Sequence, residues 1–519
     1  MSVRVVSAAQ AAALDGKAIA SGVPSRQLME AAGRAAAALL VERFPLEAER
    51  GVAVFTGPGN NGGDAWVLAG ELARRGVRVR VAEAAVAATP DAIAEREATS
   101  ALLRHSPPDG TEGVIVDGLL GTGARGAPRD AIASAIERIE IRRSAGSHLD
   151  SPVRVLALDV PSGLDATSGE TPGLSVRADL TVAFGTLKRG LLVRRGAAGT
   201  IVVVDIGLAA QAAATDAPFL VGVAQVRPSI PPIPADAHKG TRKRLVIVGG
   251  SLGMAGATAL AARGALRSGI GMVKLCVERE SIAAVQSLVP QAMATSWPET
   301  ESEFGALFAW AHTLLIGPGL GVGERAHRLV ERLLAGWRGP VVLDADAFRA
   351  FDGQPQKLRA LLGDRAAILT PHAIEFARLA GVTPADVDAR RFEIGAELAR
   401  ETGAVVLLKG VPTVISDGRD TCVSATGTPV LATGGSGDVL GGIVATLLAQ
   451  SADTSVGPLA VAAAGAWIHG RAAEIASAGQ VRGVTLDDVT GALREAWRLD
   501  EPAWAAPILA ELPGVGEHR

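Results

Sequence analysis

Short apolar runs alternate along this chain with segments of helical periodicity. Gln27–Phe44 places its apolar residues on one helical face, and Val52–Phe55 is a short apolar run typical of a buried strand. Strand-like and helix-like segments continue to alternate through both halves of the sequence. This alternation predicts an α/β protein built on largely parallel sheets.

The predicted strands fall into two series. The first series is Val52–Phe55, Val77–Val81, Val114–Val116, Val153–Leu158, Leu180–Phe184 and Thr200–Val204. The second series is Arg244–Val248, Met272–Cys276, Thr313–Ile316, Val341–Leu343, Ala366–Leu369 and Val405–Leu408, with a hairpin at Thr413–Ile415 and Cys422–Ala425. Helices are predicted near Asp91–Leu103, Asp130–Arg143 and Gly256–Ser268, and two Ala-rich helices near the C-terminus.

Between the two series lies sequence with little periodicity. Ala209–Ala214 and the proline-rich Ser229–Pro234 are typical of a connection. With 519 residues the chain is too long for one hydrophobic core, so two domains are expected, at residues 1–222 and 223–505. No firm structure is predicted beyond about Trp497.

Composition and charge exclude several classes of protein. Hydrophobic residues make up 48% and charged residues 20% of the chain, as in globular proteins that bury a large core. The net charge of −3, without a basic block, argues against nucleic-acid binding. The longest apolar runs, such as Val439–Leu448, are shorter than the roughly 20 residues that a bilayer requires. Two cysteines, Cys276 and Cys422, provide neither a disulfide framework nor a zinc site. The N-terminal sequence lacks a signal-peptide core, so a cytoplasmic protein is expected.

Polar, glycine-rich loops follow three strands of the first series. The loops are Gly57–Asp64, Asp117–Gly126 and Asp159–Asp165. Because the carboxyl ends of parallel strands meet at one sheet edge, these loops predict a shared pocket. A tight strand-to-helix turn would explain the glycines of the first loop, but not its two adjacent asparagines and its aspartate. A single acidic strand end would usually be a helix cap.

In the second series, glycine-rich and polar loops again follow the ends of predicted strands. Loops follow the strands at Gly249–Ser251, Gly317–Gly321, Asp344–Asp346, Thr370–His372 and Lys409–Gly410. The segment Thr433–Leu440 then places several glycines and Asp438 at the start of an apolar helix. Glycines let backbone N–H groups converge on an anion, and the helix dipole adds to this attraction. Asp438 could then accept a proton from a neighbouring hydroxyl. The same residues also fit a plain glycine-rich turn with a helix-start carboxylate, and His372 and Lys409 are ambiguous alone.

These motifs together resemble two known enzyme families in tandem. The Asn-Asn-Gly-Gly-Asp, Asp-x-x-x-Gly-x-Gly and Asp-x-Pro-Ser-Gly segments of the first half are similar to the NAD(P)H-hydrate epimerase family. The second half resembles the ADP- or ATP-dependent NAD(P)H-hydrate dehydratases. Its matching residues are His238–Gly240, Gly249–Ser251, Gly317–Gly321, Thr370–His372, Lys409–Gly410 and Gly434–Asp438. The order of the motifs is similar to that of bifunctional bacterial repair enzymes.

The resemblance implies a fold and an activity. It implies two three-layer αβα domains, Rossmann-like at the N-terminus and ribokinase-like at the C-terminus. The implied substrates are the hydrates NADHX and NADPHX, whose R and S forms the first domain interconverts. The second domain would phosphorylate the S hydrate with ADP as co-substrate and eliminate phosphate, which restores NAD(P)H and leaves AMP. The implied cofactors are K⁺ in the epimerase site and Mg²⁺ in the dehydratase site. A homo-oligomer without nucleic-acid or membrane partners is expected.

The resemblance also assigns site residues in the first half. Asp159 would be the general acid/base, and Asn61, Asp117 and Ser162 would ligate K⁺. The residues implied to hold the hydrate, in addition to Asp159, are Asn60, Asn61, Gly62, Gly63, Asp64, Gly121, Thr122, Gly123, Ala124, Arg125, Gly126 and Ala127.

The corresponding assignment in the second half centres on Asp438, which would activate the hydroxyl. Ala257, Gly319 and His372 would contact the hydrate together with Asp438. The residues implied to bind the adenine nucleotide are Lys409, Gly410, Val411, Pro412, Thr413 and Gly437.

Two alternatives stay open at this point. Ribokinase-like enzymes that phosphorylate vitamin precursors use a similar anion hole and aspartate, and they stop at the phosphorylated alcohol. The first half could also bind nicotinamide nucleotides without turnover.

Overall fold

The structure is a computed structural model that describes residues 2–103, 107–146, 152–500 and 507–515. Within these ranges the chain divides into two units, and the division along the chain falls between Ala217 and Pro218. The first unit also includes a C-terminal strand, Ile508–Leu512.

The first unit is built on a seven-stranded sheet. In spatial order its strands are Ile508–Leu512, Thr200–Val204, Leu180–Phe184, Arg154–Leu158, Val114–Gly118, Val52–Thr56 and Val79–Glu83. All neighbours pair in parallel except Ile508–Leu512, which runs antiparallel to Thr200–Val204. A separate parallel pair joins Val5–Val6 to Leu187–Lys188.

Helices cover both faces of this sheet. Val54 and Val116 pack with Leu40 and Leu68 on one face, whereas the next residues along the strands, such as Phe55, pack on the other. Burial on both faces explains why the strands are continuous apolar runs. The helices are Ala8–Ala20, Ser25–Arg43, Pro45–Glu49, Asn60–Arg74, Pro90–Ser100, Asp130–Gly146, Arg189–Val193, Arg195–Ala198 and Ala209–Ala213.

The second unit is built on a ten-stranded sheet. In spatial order its strands are Met293–Ser296, Met272–Val277, Arg244–Val248, Thr313–Ile316, Val341–Leu343, Ala367–Leu369, Val405–Leu408, Thr413–Ser416, Thr421–Ser424 and Phe219–Leu220. The first seven are parallel, and Val405–Leu408 begins two antiparallel pairings that include the predicted hairpin. Phe219–Leu220 closes the edge in parallel with Thr421–Ser424.

Helices again cover both faces of the second sheet. Leu245 and Ile247 pack with the helix Ser436–Ser451, whereas Val246 and Val248 share a core with the helix Glu324–Gly336. The helices are Val223–Val226, Ala255–Arg267, Ile282–Leu288, Glu301–Trp310, Glu324–Gly336, Pro355–Leu362, Ala373–Ala380, Pro384–Ala389, Ile394–Thr402, Ser436–Ser451, Pro458–Ser477 and Leu486–Ala496. Short 3₁₀ turns occupy Arg227–Ser229, Arg279–Ser281, Ala345–Phe351 and Pro429–Leu431. Both units therefore have the three layers expected.

The ends of the two units differ from the sequence prediction. The prediction of no firm structure beyond about Trp497 was wrong, because Ile508–Leu512 adds a strand to the first sheet. Phe219–Leu220 pairs in the second sheet although it precedes residue 222. Ala209–Ala213, expected to be irregular connection, is a short helix. Phe219–Leu220 and Ala209–Ala213 contain too few residues to display a period, and Ile508–Leu512 is defined by its pairing with the distant strand Thr200–Val204.

Candidate active sites

A cavity of about 640 Å³ lies where the polar loops of the first unit converge. Nine residues predicted for the hydrate line it: Asn60, Asn61, Asp64, Gly121, Thr122, Gly123, Ala124, Arg125 and Asp159. The predicted residues Gly62, Gly63, Gly126 and Ala127 are not among its lining residues. Gly62 and Gly63 instead allow close packing, because a Cβ at Gly62 would lie 2.1 Å from the Gly57 carbonyl oxygen and one at Gly63 would lie 2.5 Å from the Met29 sulfur. These two glycines set the position of the loop without facing the cavity.

Asn61, Asp117 and Ser162 form one connected group beside this cavity. Ser162 donates from its hydroxyl to Asp117 Oδ1 (2.6 Å) and from its backbone N–H to Oδ2 (2.7 Å). Asn61 Nδ2 donates to the Leu120 carbonyl oxygen (2.9 Å), and the Leu120 N–H donates to Ser162 Oγ (2.9 Å). Among the residues that the structure describes, the buried Asn61 Oδ1 has no hydrogen-bond partner. Burial raises the pKa of Asp117 to about 6, although the hydrogen bonds from Ser162 and Leu119 oppose this shift.

Asp159 stands at the end of its strand in a left-handed backbone conformation, with φ of 62°. Few residues other than glycine adopt this conformation, which often marks a functional site. Asp159 Oδ1 accepts a hydrogen bond from Lys188 Nζ and another from the Phe184 N–H (3.2 Å). Lys188 is 3% exposed, and its Nζ also donates to the Phe184 carbonyl oxygen (2.8 Å). The predicted acid/base therefore belongs to a buried ion pair.

Two further carboxylates line the same cavity. Burial raises the pKa of Asp64 well above its usual value, and the charges of Asp159 and Asp15 raise it further. Burial likewise raises the pKa of Asp15, on the helix Ala8–Ala20. Sequence reasoning had missed Asp15 and Lys188. Ser7 and Gln10, which form a capping box, could have revealed the helix that carries Asp15, but nothing local indicates that Lys188 meets Asp159.

The second site lies at the N-terminus of the helix Ser436–Ser451. Gly435 precedes the helix with φ of 94°, a conformation that suits glycine, and it provides no side-chain cap. The N–H groups of the first helical turn have no partners within the helix, so they can bind an anion. A Cβ at Gly437 would lie 3.1 Å from Lys409 Nζ, which shows how closely the lysine approaches this turn.

A network of acids surrounds Lys409 at this turn. Lys409 Nζ donates to Asp344 Oδ1 (2.7 Å) and lies 3.8 Å from Glu375 Oε2. Burial would lower the pKa of Lys409, but the charges of Asp344 and Glu375 outweigh it and raise this pKa. Burial also raises the pKa values of Asp438 and Glu375, each to about 7. Repulsion from Asp344 adds to both shifts, and attraction to Lys409 opposes them.

The residues predicted to contact the hydrate lie on neighbouring loops of this unit. Gly319 has φ of 56°, and a Cβ there would lie 3.0 Å from the Ala257 Cβ, so these two predicted residues are in contact. His372 precedes the helix Ala373–Ala380, and its Nδ1 accepts from the Ile374 N–H (3.1 Å). His372 Nε2 lies 3.3 Å from Glu375 Oε1. Burial and the Lys409 charge lower the pKa of His372.

The predicted nucleotide segment leads from Lys409 into the hairpin. Gly410 has φ of 152°, and the Val411–Pro412 peptide bond is cis. Thr413 Oγ1 donates to the Gly410 carbonyl oxygen (3.2 Å). Val411 is 68% exposed, so the loop projects its tip away from the core. Sequence analysis placed Asp344 in a loop after a predicted strand, but it assigned neither Asp344 nor Glu375 to the site.

Comparison with known proteins matches both units. A family model described as NAD(P)H-hydrate dehydratase matches residues 245–494, and one described as YjeF-related protein N-terminus matches residues 25–190. Proteins named bifunctional NAD(P)H-hydrate repair enzyme are similar over most of the chain. The one from Hyperthermus butylicus is 34% identical and covers 97% of this chain and 94% of its own length. The Escherichia coli protein is 33% identical over 88% of this chain and 86% of its own.

The chain belongs to the bifunctional NAD(P)H-hydrate repair enzyme family. A crystal structure of an ADP/ATP-dependent NAD(P)H-hydrate dehydratase from Bacillus subtilis, co-crystallised with ATP/Mg²⁺, is 28% identical to it. That structure covers 55% of this chain and all of its own, with a TM-score of 0.47. The members of the hydrate repair family combine a Rossmann-like and a ribokinase-like domain, in agreement with the fold predicted here. Among the described residues no helix has both the length and the apolar character needed to cross a bilayer.

Proposed function

We propose that this protein repairs damaged nicotinamide nucleotides. The first unit interconverts the R and S hydrates of NADH and NADPH, and the second dehydrates the S hydrate with ADP, giving AMP and phosphate. The observation that carries the proposal is the presence of two strand-end sites in tandem, each with a buried lysine–aspartate pair: Lys188 with Asp159 and Lys409 with Asp344. Family membership over nearly the whole chain supports both activities.

In the first site, Asp159 exchanges the protons that epimerisation requires. A hydrate carries its hydroxyl next to the ring nitrogen, so opening the ring takes a proton from the hydroxyl and delivers one to the nitrogen. Closing the ring on the opposite face reverses both transfers. Asp159 and Lys188 are joined by a hydrogen bond that can hold and return a proton. The polar residues Asn60, Asp64 and Thr122 line the space for the substrate.

Asn61, Asp117 and Ser162 have the chemistry of a K⁺ site. Amide, carboxylate and hydroxyl oxygens are hard ligands, and the unpartnered, buried Asn61 Oδ1 requires a cation or donor to satisfy it. A K⁺ held here would supply positive charge beside the substrate. No sequence segment brings the three residues together, since they lie in three different loops.

In the second site, Asp438 accepts the proton of the hydrate hydroxyl while the terminal phosphate of ADP is transferred. The Ser436 N–H donates to the Thr433 carbonyl oxygen (3.2 Å), so the N–H groups of Gly437 and Asp438 in the first turn of the helix Ser436–Ser451 stabilise the phosphate. The segment Lys409–Thr413 binds the nucleotide. Within the described ranges no cluster of three or more His, Cys, Asp or Glu side chains is arranged to hold a metal ion. Mg²⁺ therefore fits best as an ion carried by the nucleotide phosphates, where it commonly keeps several waters.

The most informative experiment incubates the protein with mixed hydrates and ADP and follows NAD(P)H absorbance together with AMP and free phosphate. Recovery of all the hydrate, with one AMP for each NAD(P)H, is the expected result. Recovery that stops near the S fraction would remove the epimerase from the proposal. A phosphorylated product without regained absorbance would instead indicate a ribokinase-like kinase.

A further inference from the structure

The proposed dehydration releases two protons, one from the hydroxyl oxygen and one from a ring carbon. In the first step the hydroxyl O–H bond breaks and the oxygen bonds to the terminal phosphorus of ADP, which releases AMP. In the second step the C–O bond breaks and phosphate leaves with the electron pair. The C–H bond on the neighbouring ring carbon then breaks, and its electrons form the restored double bond. No oxidant or reductant is needed, but a carbon-bound proton requires its own acceptor.

Asp438 is poorly placed to accept both protons in sequence. Once it holds the hydroxyl proton, it must lose that proton before it can accept another. Its surroundings favour the protonated state, because burial and the nearby Asp344 charge disfavour a second negative group. A separate base would let the elimination follow directly.

Glu375 meets the requirements of such a base. Its side chain is 13% exposed, so it can reach a bound molecule without being fully solvated. Oε1 lies 3.3 Å from His372 Nε2, and Oε2 lies 3.8 Å from Lys409 Nζ. The family resemblance predicts that His372 contacts the hydrate, and Lys409 Nζ lies close to the turn that carries Asp438, 3.1 Å from where a Cβ at Gly437 would stand. Glu375 thus lies between His372, which the resemblance assigns to the hydrate, and Lys409, which also binds the Asp344 carboxylate.

We propose that Glu375 is the second catalytic base, which takes the proton from the ring carbon during elimination of phosphate. The assignment rests on the proposed function and divides the reaction between two carboxylates. Asp438 serves the phosphoryl transfer, and Glu375, positioned by His372 and Lys409, serves the formation of the double bond.

The test uses the variant Glu375→Gln in the full chain. Glu375 Oε2 accepts from the His372 N–H (2.8 Å) in a capping box, and glutamine preserves that hydrogen bond while losing the basic oxygen. The matched control is Glu303→Gln, which changes the capping-box glutamate of the helix Glu301–Trp310, where Oε2 accepts from the Thr300 N–H (2.9 Å). The control should behave as the parent in every assay.

Purified S hydrate and ADP are mixed, and AMP and NAD(P)H are measured in a single turnover. For Glu375→Gln we expect AMP to form within a few-fold of the parental rate while NAD(P)H appears about a hundredfold more slowly, so that phosphorylated hydrate accumulates. Glu375→Asp should recover part of the rate of NAD(P)H formation. Equal rates of AMP and NAD(P)H formation in Glu375→Gln would overturn the assignment. AMP without NAD(P)H in the parent would overturn the proposed function itself.

Discussion

At the scale of single residues, both sites contain a lysine that forms an ion pair with an aspartate at the end of a strand. Lys188 is bound by Asp159, and Lys409 by Asp344. A buried ammonium group is costly unless it is paired, so each aspartate offsets part of the cost of burying its lysine. Asp64 in the first site and Asp438 in the second both have raised pKa values because of burial and nearby negative charge. The pKa of Asp438 is raised to about 7, so this group can exchange protons near neutral pH.

The substitution Asp438→Asn should separate a catalytic from a structural role. We expect turnover of the S hydrate to fall about a hundredfold or more, because asparagine cannot accept the hydroxyl proton. Nucleotide affinity should persist, since the free N–H groups of the first turn remain. In the parent, turnover should rise as the pH passes upward through about 7, since the carboxylate form of Asp438 is the base. The measurements are turnover from pH 5.5 to 8.5 and nucleotide binding.

The alternative for Asp438 is a capping residue. Loss of a cap typically costs about 0.5–2 kcal/mol of stability with little effect on chemistry. The structure gives no side-chain cap hydrogen bond to this helix, so the melting temperature of Asp438→Asn should stay close to that of the parent. Turnover within a few-fold of the parent would contradict the catalytic assignment.

A K⁺ site at Asp117 predicts that the stability of the first unit depends on which cation is present and on the pH. The pKa of Asp117 is raised from 3.8 to about 6 in the folded protein, so the folded first unit holds this proton more tightly than the unfolded chain. Ionisation of Asp117 therefore costs stability as the pH rises from about 4 through about 6, and a bound cation should offset that cost. Replacing Na⁺ by K⁺ should raise the melting temperature at pH 7.5 and have little effect at pH 4.5.

Asp117→Asn serves as the control for this measurement. Asparagine retains an oxygen that can accept from Ser162 but lacks the negative charge that attracts the cation. The difference between K⁺ and Na⁺ should then disappear at both pH values. An undiminished K⁺ effect in this variant would mean that the ion binds elsewhere.

At the scale of elements, two helices of the second unit approach each other at glycine. A Cβ at Gly442, on the helix Ser436–Ser451, would lie 1.9 Å from the Ala261 carbonyl oxygen, and one at Gly264 would lie 2.4 Å from the Val439 carbonyl oxygen. The alanine and glycine residues of the helix Ala255–Arg267 therefore permit close backbone contact. This contact fixes the helix that carries Asp438.

Gly442→Ala should test that contact. The methyl group must push the helices apart, so we expect a loss of about 1–3 kcal/mol in the free energy of unfolding and reduced dehydratase turnover. Gly491→Ala, on the helix Leu486–Ala496, is the matched control, because its Cβ would meet nothing within 4 Å. Removing that helical glycine should stabilise the protein by about 0.5–1 kcal/mol. Chemical denaturation of both variants measures the two effects.

A second prediction at the scale of elements concerns the C-terminal strand. Ile508–Leu512 pairs with Thr200–Val204, and Arg43 donates to both carboxylate oxygens of Glu511 (3.3 and 2.7 Å). Deleting residues 507–519 should expose the edge of the first sheet, lower the melting temperature of the first unit and favour aggregation. Dehydration of the S hydrate should continue. Full epimerase activity and an unchanged melting transition after the deletion would show that the strand is dispensable.

At the scale of the whole molecule, the two activities should be separable. Each unit has its own sheet and its own strand-end site, so damage to one site should leave the other chemistry intact. Asp117→Asn should retain dehydration of the S hydrate but recover R hydrate only at the spontaneous rate. Asp438→Asn should still interconvert the hydrates.

Mixing the two variants provides the test of this independence. An equimolar mixture should recover R hydrate well above the spontaneous rate, because the S hydrate formed by one variant can diffuse to the other. The measurement is NAD(P)H regained from R hydrate with ADP. Failure of the mixture, with each variant folded, would mean that the sites depend on each other.

The sequence by itself determined the fold class, most strands and the motifs. Buried parallel strands are continuous apolar runs, so strands such as Leu180–Phe184 and Arg244–Val248 begin and end where predicted. Asn61, Asp117 and Asp438 are recognisable because they stand at strand or helix ends next to glycine. This information is local, so it can be read from neighbouring residues in the sequence.

Only the tertiary structure decided which side chains meet. Lys188 and Asp159 are 29 residues apart, and Lys409 and Asp344 are 65 residues apart, so no local pattern links them. The partners of Glu375 and the return of Ile508–Leu512 to the first sheet likewise depend on long-range contacts. Hydrophobic periodicity places residues on a face of an element, but the charge state of a buried group depends on the neighbours that folding brings to it.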